Sequence, residues 1–296
     1  MKITVFTPTY NRGYILSNLY RSLLRQSFHD FEWLIVDDGS ADNTRELVQD
    51  WIHRYNSFPI RYYYQENGGK CRAINHGLML AEGELFLVVD SDDILTDDAL
   101  EKIASWEWEL PEDGKYCGVS GNLGLSVSDT PNYLFEADYY DGTMLDRYRT
   151  ANGERAFVFY TKVHRLYPYP SFDDEKFMTE AVAYNRMARD GYKMRFYNDI
   201  VCVYEYREDG LTKAGNALFL KNPKGYALWL KERQEFMAPS FANRFRLWYT
   251  YYCEMSFCEK QYRLTKKQCA EYIGAPLVAI HLCSILHQIR QITKGR

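Results

Sequence analysis

No Cys-x-x-Cys pair occurs in this 296-residue chain, and its seven cysteines stand apart at 71, 117, 202, 253, 258, 269 and 283. A zinc cluster needs closely spaced thiolates and a disulfide framework needs an even count, so neither organises the fold. Unpaired thiols in a reducing, cytoplasmic compartment are the expectation. No uninterrupted apolar stretch reaches the roughly 18 residues of a membrane span. Met1 and Lys2 lead directly into a short apolar run stopped by Pro8, so no secretory leader is expected. Internal repeats, low-complexity tracts and an obvious flexible linker are also missing. With 46% hydrophobic and 26% charged residues, disorder is excluded as the main state.

The net charge of −4 conceals a division. Residues 211–296 carry 14 Lys and Arg against 5 Asp and Glu, whereas residues 1–210 carry 22 against 35. The acidic part repels a polyanion unless a metal stands between them, and the basic part suits anionic lipid or nucleic acid. This shift, with a change of periodicity, sets the expected boundary near 210. Residues 1–210 then form a catalytic domain, with nucleotide binding in 1–100 and the acceptor side in 101–210. Residues 211–296 form a basic, aromatic helical extension.

Ile3–Thr7 is a β-branched apolar run ended by Pro8, which predicts a buried strand. Ile15, Leu19, Leu23 and Leu24 follow at helical spacing. Phe31–Val36 predicts a second strand, closed by Asp37-Asp38-Gly39-Ser40. Asp42-Asn43 can cap a helix bearing Leu47, Val48, Trp51 and Ile52. Ile60–Tyr64, a Gly68-Gly69 break, a helix through Ala73–Leu80 and the apolar run Leu85–Val89 complete the series. Such alternation predicts an α/β fold with a mostly parallel sheet and helices on both faces. Beyond Trp108, strands are expected over 119–127, 155–160 and 194–206, a helix over 175–189, and helices from Leu218 onward.

Ligands of open parallel sheets collect beyond the carboxyl ends of the strands. Three polar clusters lie at such ends: Thr7-Pro8-Thr9-Tyr10-Asn11, Asp37-Asp38-Gly39-Ser40 and Asp90-Ser91-Asp92-Asp93. Three carboxylates within four residues raise one another's pKa unless a cation intervenes. Mg²⁺ or Mn²⁺, with oxygen ligands, would resolve that repulsion. A solvated turn capping the next helix is the competing reading. Asp37-Asp38 reads equally as an Asx turn. Gly68-Gly69-Lys70 lacks the spacing of a Walker loop, yet Lys70 at a helix start could face a diphosphate.

Taken together, Thr-Pro-Thr-Tyr-Asn, Val-Asp-Asp-Gly-Ser, Asn-Gly-Gly-Lys…Ala-Ile-Asn-His-Gly-Leu and Val-Asp-Ser-Asp-Asp resemble, in strict order over residues 1–100, the nucleotide-sugar half of family 2 glycosyltransferases. The resemblance implies a GT-A fold, Rossmann-like, to which the helical pattern from Leu218 onward adds a C-terminal extension. It implies that Pro8, Tyr10 and Asp37 surround the nucleobase, typically uracil, and that Lys70 lies by the nucleotide. Asp90 would reach the ribose, and Asp92 would hold a metal on the diphosphate. The family's Ala-Arg-Asn appears here as Ala73-Ile74-Asn75, leaving Arg72 or Lys70 as substitutes for the arginine.

Inverting transfer needs a carboxylate to remove the acceptor's proton. Members of the family place an acidic pair at the head of a helix ending in an Arg-Leu-Ala-like triplet. Counting back from Arg186-Met187-Ala188, the resemblance implies Glu180 as the base, preceded by Thr179. Asp173, Asp174 and Glu175 are rival acids that read better as a solvated turn. Where many relatives carry Tyr-Arg-x-His with a metal-binding His, this chain has Tyr206-Arg207-Glu208-Asp209; Asp209 is either an oxygen ligand or part of a plain Asp-Gly turn. His53, His76 and His164 are isolated and take no role.

In the tail, Phe241, Phe245, Trp248 and Tyr252 share one helical face, and Ile280, Leu282, Ile285, Leu286, Ile289 and Ile292 form a second stripe. These helices either pack on the catalytic domain with their charges solvated, or rest on a cytoplasmic leaflet, where each basic residue adds ~1 kcal/mol. The expectation is a metal-dependent inverting transferase using a nucleoside-diphosphate sugar, a UDP-sugar on the family pattern, and a glycan or polyprenyl-diphosphate-linked acceptor in cell-surface polysaccharide synthesis. Nucleic acid is not an expected partner. A sugar-phosphate nucleotidyltransferase is one alternative, although it would normally have a Gly-rich basic loop after the first strand. A non-catalytic nucleotide-sugar-binding protein is the other.

Overall fold

The computed structural model describes every residue except 55, 147–149, 152, 206–214, 238–239 and 295–296. It divides into two compact units, one of Met1–Tyr169 with Arg186–Tyr206 and one of Pro170–Asn185 with Arg207–Arg296. The boundary expected near 210 falls outside the described residues.

In the first unit, β1 (Ile3–Thr9), α1 (Ser17–Leu24), β2 (Phe31–Asp37), α2 (Thr44–Ile52), β3 (Ile60–Tyr64), α3 (Lys70–Leu80) and β4 (Leu85–Val88) alternate as the apolar runs require. Then come β5 (Ile94–Leu95), α4 (Ala99–Trp108), β6 (Tyr116–Gly124), β7 (Tyr139–Thr143), β8 (Arg155–Tyr160) and the short α5 (Thr161–His164). Helix α6 (Ala181–Arg189), through which the dividing line passes, leads to β9 (Lys193–Val203). One mixed sheet has the order β3-β2-β1-β4-β8-β6-β9-β5, with β7 paired to β9. Strands β3, β2, β1 and β4 run parallel, β8 is antiparallel to both neighbours, and β6 is parallel to β9.

Both β1 and β2 are buried throughout, which explains their unbroken Ile, Val, Phe and Leu content. Trp33 packs against the stacked pair Tyr20 and Trp51, with ring centroids 5.9 and 5.7 Å away, and its indole N–H donates to Thr7 Oγ1 at 3.0 Å. Helix α3 lies close against β1 because Gly77 has no side chain; a Cβ there would collide with the Phe6 ring. One acid of the negative half is purely structural. Buried Glu32 accepts from Arg61 Nη1 at 2.8 Å, Thr4 Oγ1 at 2.6 Å and the Glu82 N–H at 2.8 Å.

In the second unit are α7 (Asn216–Lys221), α8 (Pro223–Met237), α9 (Phe241–Phe257), a 3₁₀ turn (Lys260–Tyr262), α10 (Lys266–Ile273) and α11 (Leu277–Lys294). Its core joins Ala227, Trp248, Tyr251, Tyr252, Met255, Cys269, Ile273, Ile280 and Cys283. Ser240 caps α9 through the Asn243 N–H, and Thr265 with Gln268 forms a capping box on α10.

One local expectation needs correction. The helix anticipated over 175–189 begins at Ala181, and Glu175 is buried rather than solvated. Its carboxylate accepts the Lys224 N–H at 2.7 Å and the Gly225 N–H at 2.8 Å, the orphan donors at the start of α8. At α2 the expected Asp42-Asn43 pair caps through Asp42, which takes the Thr44 N–H at 3.1 Å and its hydroxyl at 2.6 Å.

Candidate functional site

From β1 the chain runs outward to β2 and β3, then returns to place β4 on the other side of β1. The carboxyl ends of β1 and β4 therefore flank a topological switch point, where an open α/β sheet leaves a crevice. The three polar clusters stand at the ends of β1, β2 and β4, as the apolar run lengths demand.

Side chains tie these ends together. Asn11, at a left-handed φ of 53°, donates its N–H to Ser40 Oγ at 2.8 Å and accepts the Ala41 N–H on Oδ1 at 2.8 Å. Asparagine tolerates that backbone better than most residues. Asp37 is fully buried and accepts the Ser40 N–H at 2.8 Å and the Tyr62 hydroxyl at 2.6 Å. Burial, followed by the Asp37 carboxylate, pushes the Tyr62 phenol far above its usual range. Pro8 is buried within β1, and Tyr10 just beyond it is 50% exposed. An exposed ring at a crevice can stack on a nucleobase.

Asp38 is a structural hub that sequence reasoning left without a role. Its Oδ1 accepts from Gln65 Nε2 at 2.7 Å and the Gly68 N–H at 2.8 Å, and its Oδ2 accepts the Gly69 N–H at 2.7 Å. Those bonds hold the turn that starts α3. Gly39, at φ 89°, permits the approach, since a Cβ there would lie 2.8 Å from the Asn67 nitrogen. A partner thirty residues away gives no local signal; the doubled Asp alone marks the position.

Lys70 opens α3 and reaches Asp90 at the end of β4, with Nζ 2.7 Å from Oδ1. Arg72 packs along Gly68, so both substitutes for the missing family arginine flank the same turn. Asn75 bonds the Tyr169 carbonyl at 2.8 Å and N–H at 2.9 Å, which makes it a strap rather than a free ligand. Asp93 is pushed up to about 8, first by burial and then by Asp90 and Asp92. The Cys202 thiol bonded to Asp93 is raised well above its usual value by its own burial.

A divalent cation fits this donor set. Asp92 is half-buried and makes no hydrogen bond or ion pair among the described residues, so its oxygens are open to a hard ion. Asp90 is already engaged by Lys70. No group of three or more His, Cys, Asp or Glu is arranged as a metal cage among the described residues. Mg²⁺ and Mn²⁺ sites commonly take one or two carboxylates, with substrate phosphate and water completing the shell. Asp209, the other expected ligand, lies outside the described residues.

The second unit holds Glu180 just ahead of α6. Its Oε2 accepts the Tyr184 hydroxyl at 2.7 Å, which fixes the carboxylate's direction. Asp174 is drawn to Lys224 Nζ at 2.7 Å, and Glu175 is used by α8, so two of the three rival acids are occupied structurally. His164 is buried against Phe86, Phe159 and Tyr169, as core rather than site. A cavity of about 210 Å³ in this unit, lined by Phe219, Tyr226, Cys253, Glu254 and Phe257 among others, includes none of the residues named for the nucleotide.

Known proteins resemble this chain in sequence and in fold. Glycosyltransferase GlyG of Streptococcus pneumoniae serotype 4 is 37% identical over 102 residues, 34% of this chain and 33% of that protein. The poly(ribitol-phosphate) β-N-acetylglucosaminyltransferase TarS of Staphylococcus aureus is 32% identical over 148 residues, 49% of this chain and 25% of that protein. The chain thus spans a third or less of the length of these curated relatives. The crystal structure of TarS 1–349 in complex with UDP-GlcNAc superposes with a TM-score of 0.62 at 16% identity, covering 98% of this chain and 92% of that one. Mannosyltransferase PcManGT from Pyrobaculum calidifontis, in complex with GDP-Man and Mn²⁺, gives 0.55 at 18% identity over 95% and 86%. Both are likenesses of fold, and they bear out the GT-A expectation. The family model for glycosyl transferase family 2 matches residues 4–169, more than half of the sequence and all of the strand-end clusters just described, so this chain belongs to glycosyl transferase family 2.

Proposed function

We propose that the chain is an inverting, metal-dependent glycosyltransferase. It takes a nucleoside-diphosphate sugar, with UDP as the nucleotide, and extends a glycan or polyprenyl-diphosphate-linked acceptor in cell-surface polysaccharide synthesis. Its working place is the cytoplasm, against the inner face of the membrane. The observation that carries this reading is the Lys70–Asp90 pair, a cation at a helix N-terminus held in waiting at the β1/β4 crevice. TarS with UDP-GlcNAc and the mannosyltransferase with GDP-Man and Mn²⁺ support donor and metal by likeness.

On donor binding, Lys70 would turn from Asp90 to the diphosphate and release Asp90 to the ribose hydroxyls. Pro8, Tyr10 and Asp37 would enclose the base. Glu180, oriented by Tyr184, would take the proton from the acceptor hydroxyl as the sugar–phosphate bond breaks. Asp92, with Asp209 as a further oxygen ligand, would hold a Mg²⁺ or Mn²⁺ ion, which would supply charge neutralisation for the diphosphate leaving group.

UDP binding measured by calorimetry with and without Mn²⁺ tests the reading, together with turnover of Asp92→Asn. Metal-enhanced affinity and lost turnover support it; equal affinity in both conditions, or unchanged turnover, overturns it. Mass spectrometry of donor incubated without acceptor separates the alternatives. Free sugar and UDP mark a transferase, a nucleoside monophosphate marks a nucleotidyltransferase, and intact donor marks a binding protein.

A further inference from the structure

The cavity of about 210 Å³ in the second unit takes no part in the reaction proposed above. Helix α7 lines it with Asn216 and Phe219, α8 with Tyr226, and the last turns of α9 with Cys253, Glu254 and Phe257. Pockets for drug-sized ligands run to about 300–1,000 Å³, so this one takes a small group.

Its side chains offer acceptors and almost no donors. The Tyr226 hydroxyl gives its proton to Glu254 Oε2. Burial, followed by that carboxylate, holds the phenol well above its usual range, so the proton stays. Cys253 Sγ is paired with His287 Nδ1 at 3.2 Å, and the Cys258 thiol, also in the lining, donates to the Met255 carbonyl at 3.5 Å. The amide of exposed Asn216 is the one remaining strong donor among the lining side chains. Glu254 is half-buried beside the rings of Phe219, Tyr226 and Phe257. Among the described residues its one hydrogen-bond partner is Tyr226, and it forms no ion pair.

That inventory selects by charge. An anion would meet a carboxylate with no basic side chain in the lining. A hydroxyl group both gives and takes hydrogen bonds, and here finds few donors. A bare Ca²⁺ ion needs about six to eight oxygens, which these side chains do not supply. An ammonium group only donates, and aromatic walls favour a cation. Three arginines stand around the cavity without lining it. Arg233 lies over the Trp229 ring, Arg290 lies over the Tyr249 ring, and Arg263 Nε donates to the Cys258 carbonyl at 2.7 Å.

We propose that this cavity binds a small organic ammonium group, with its N–H donors on Glu254 and its substituents among the three rings. The site shares no residue with the nucleotide set and goes beyond the transferase reading, so either can fail without the other.

The test titrates the full chain with ethanolamine and glucosamine near neutral pH, each against its uncharged counterpart, ethylene glycol and glucose, with binding followed by ligand-observed NMR. At least one amine is expected to bind ~10-fold or more tighter than its counterpart, and the pair that shows it tells an alkyl carrier from a sugar. Glu254→Gln, whose amide oxygen still accepts from Tyr226, should lower that affinity ~10-fold or more. Phe257 is 53% exposed, so Phe257→Leu is tolerated by the fold. It keeps the bulk, removes the ring and should lower amine affinity ~3-fold. UDP affinity should stay within ~2-fold of wild type in both variants. The proposal is overturned if neither amine binds, if the uncharged counterparts bind as tightly, or if Glu254→Gln binds the amine like wild type. Should Glu254→Gln fail to fold, an amine affinity unchanged in Phe257→Leu overturns it equally. Amine binding by a chain without UDP affinity supports the site and counts against the transferase reading alone.

Discussion

Lys70 Nζ lies 2.7 Å from Asp90 Oδ1 and 2.9 Å from Oδ2, joining the first turn of α3 to the end of β4. The pair is partly exposed, so its worth to stability is small, about 0–1 kcal/mol. Its worth to a bound diphosphate is larger, because a charge-assisted bond forms beside a helix N-terminus. Lys70→Ala should therefore weaken UDP binding by ~10- to 100-fold while shifting the melting temperature little. Calorimetry and thermal denaturation of the same sample check both halves. A large loss of stability with affinity retained would make the pair a fold element instead.

Asp38 should behave in the opposite way. It is buried and accepts three well-formed bonds from Gln65, Gly68 and Gly69, with Asn67 Nδ2 on Oδ2 at 3.1 Å as a fourth. Removing the carboxylate leaves the buried Gly68 N–H and the part-buried Gly69 N–H without that acceptor, and a buried donor left so costs about 1–3 kcal/mol. Asp38→Ala is expected to destabilise the chain by about 3 kcal/mol or more, seen as a lower urea midpoint, and to weaken UDP binding as the turn before Lys70 loosens. A midpoint within experimental error of wild type would show that the turn is held by its glycines alone.

These two residues show what the sequence makes legible. Strands β1, β2 and β4 are written as apolar runs because they are buried on both faces, and Lys70 and Asp90 sit where those runs stop. The motif clusters are local in sequence, so their order survives without knowledge of the fold. Asp38 and Glu175 were opaque because their partners lie thirty and fifty residues away. Strand direction was opaque for a similar reason. Arg155–Tyr160 reads as a strand, yet nothing local says that β8 enters antiparallel beside β4. In α11, Ile280 and Ile285 look alike in a hydropathy pattern and separate only once the core is known.

Glu175 offers a pH test. Burial raises its carboxyl above the usual range, against the opposing pull of the Gly225 and Lys224 N–H groups. The folded chain thus holds this proton more tightly than the unfolded chain. The group's contribution to stability is complete below the ordinary carboxylate pKa and fades as pH rises through the folded value. Glu175→Gln removes that fade, so its melting temperature should gain on wild type's as pH rises above the ordinary carboxylate range. It also turns an amide N–H₂ toward two backbone donors, at about 1–2 kcal/mol near neutrality. Parallel pH slopes for the two proteins would assign the effect to another acid.

Glu180 separates chemistry from binding. Its carboxylate is held by the Tyr184 hydroxyl at 2.7 Å, one helical turn away, and Asp174 and Glu175 have structural duties on α8. A general base contributes about 10²–10⁴ in rate. Glu180→Gln should therefore lower kcat by roughly 10³ while UDP affinity stays within about 2-fold, since the amide keeps the shape and cannot take a proton. Tyr184→Phe removes one bond that orients the carboxylate but leaves its basicity, so a smaller loss, about 3- to 10-fold in kcat, is expected. If Glu180→Gln turns over normally and Asp173→Asn does not, the base is Asp173, the one acid of the rival trio without a partner in α8. Loss of UDP affinity in Glu180→Gln would instead make Glu180 a binding residue, and the transfer step would need a different carboxylate.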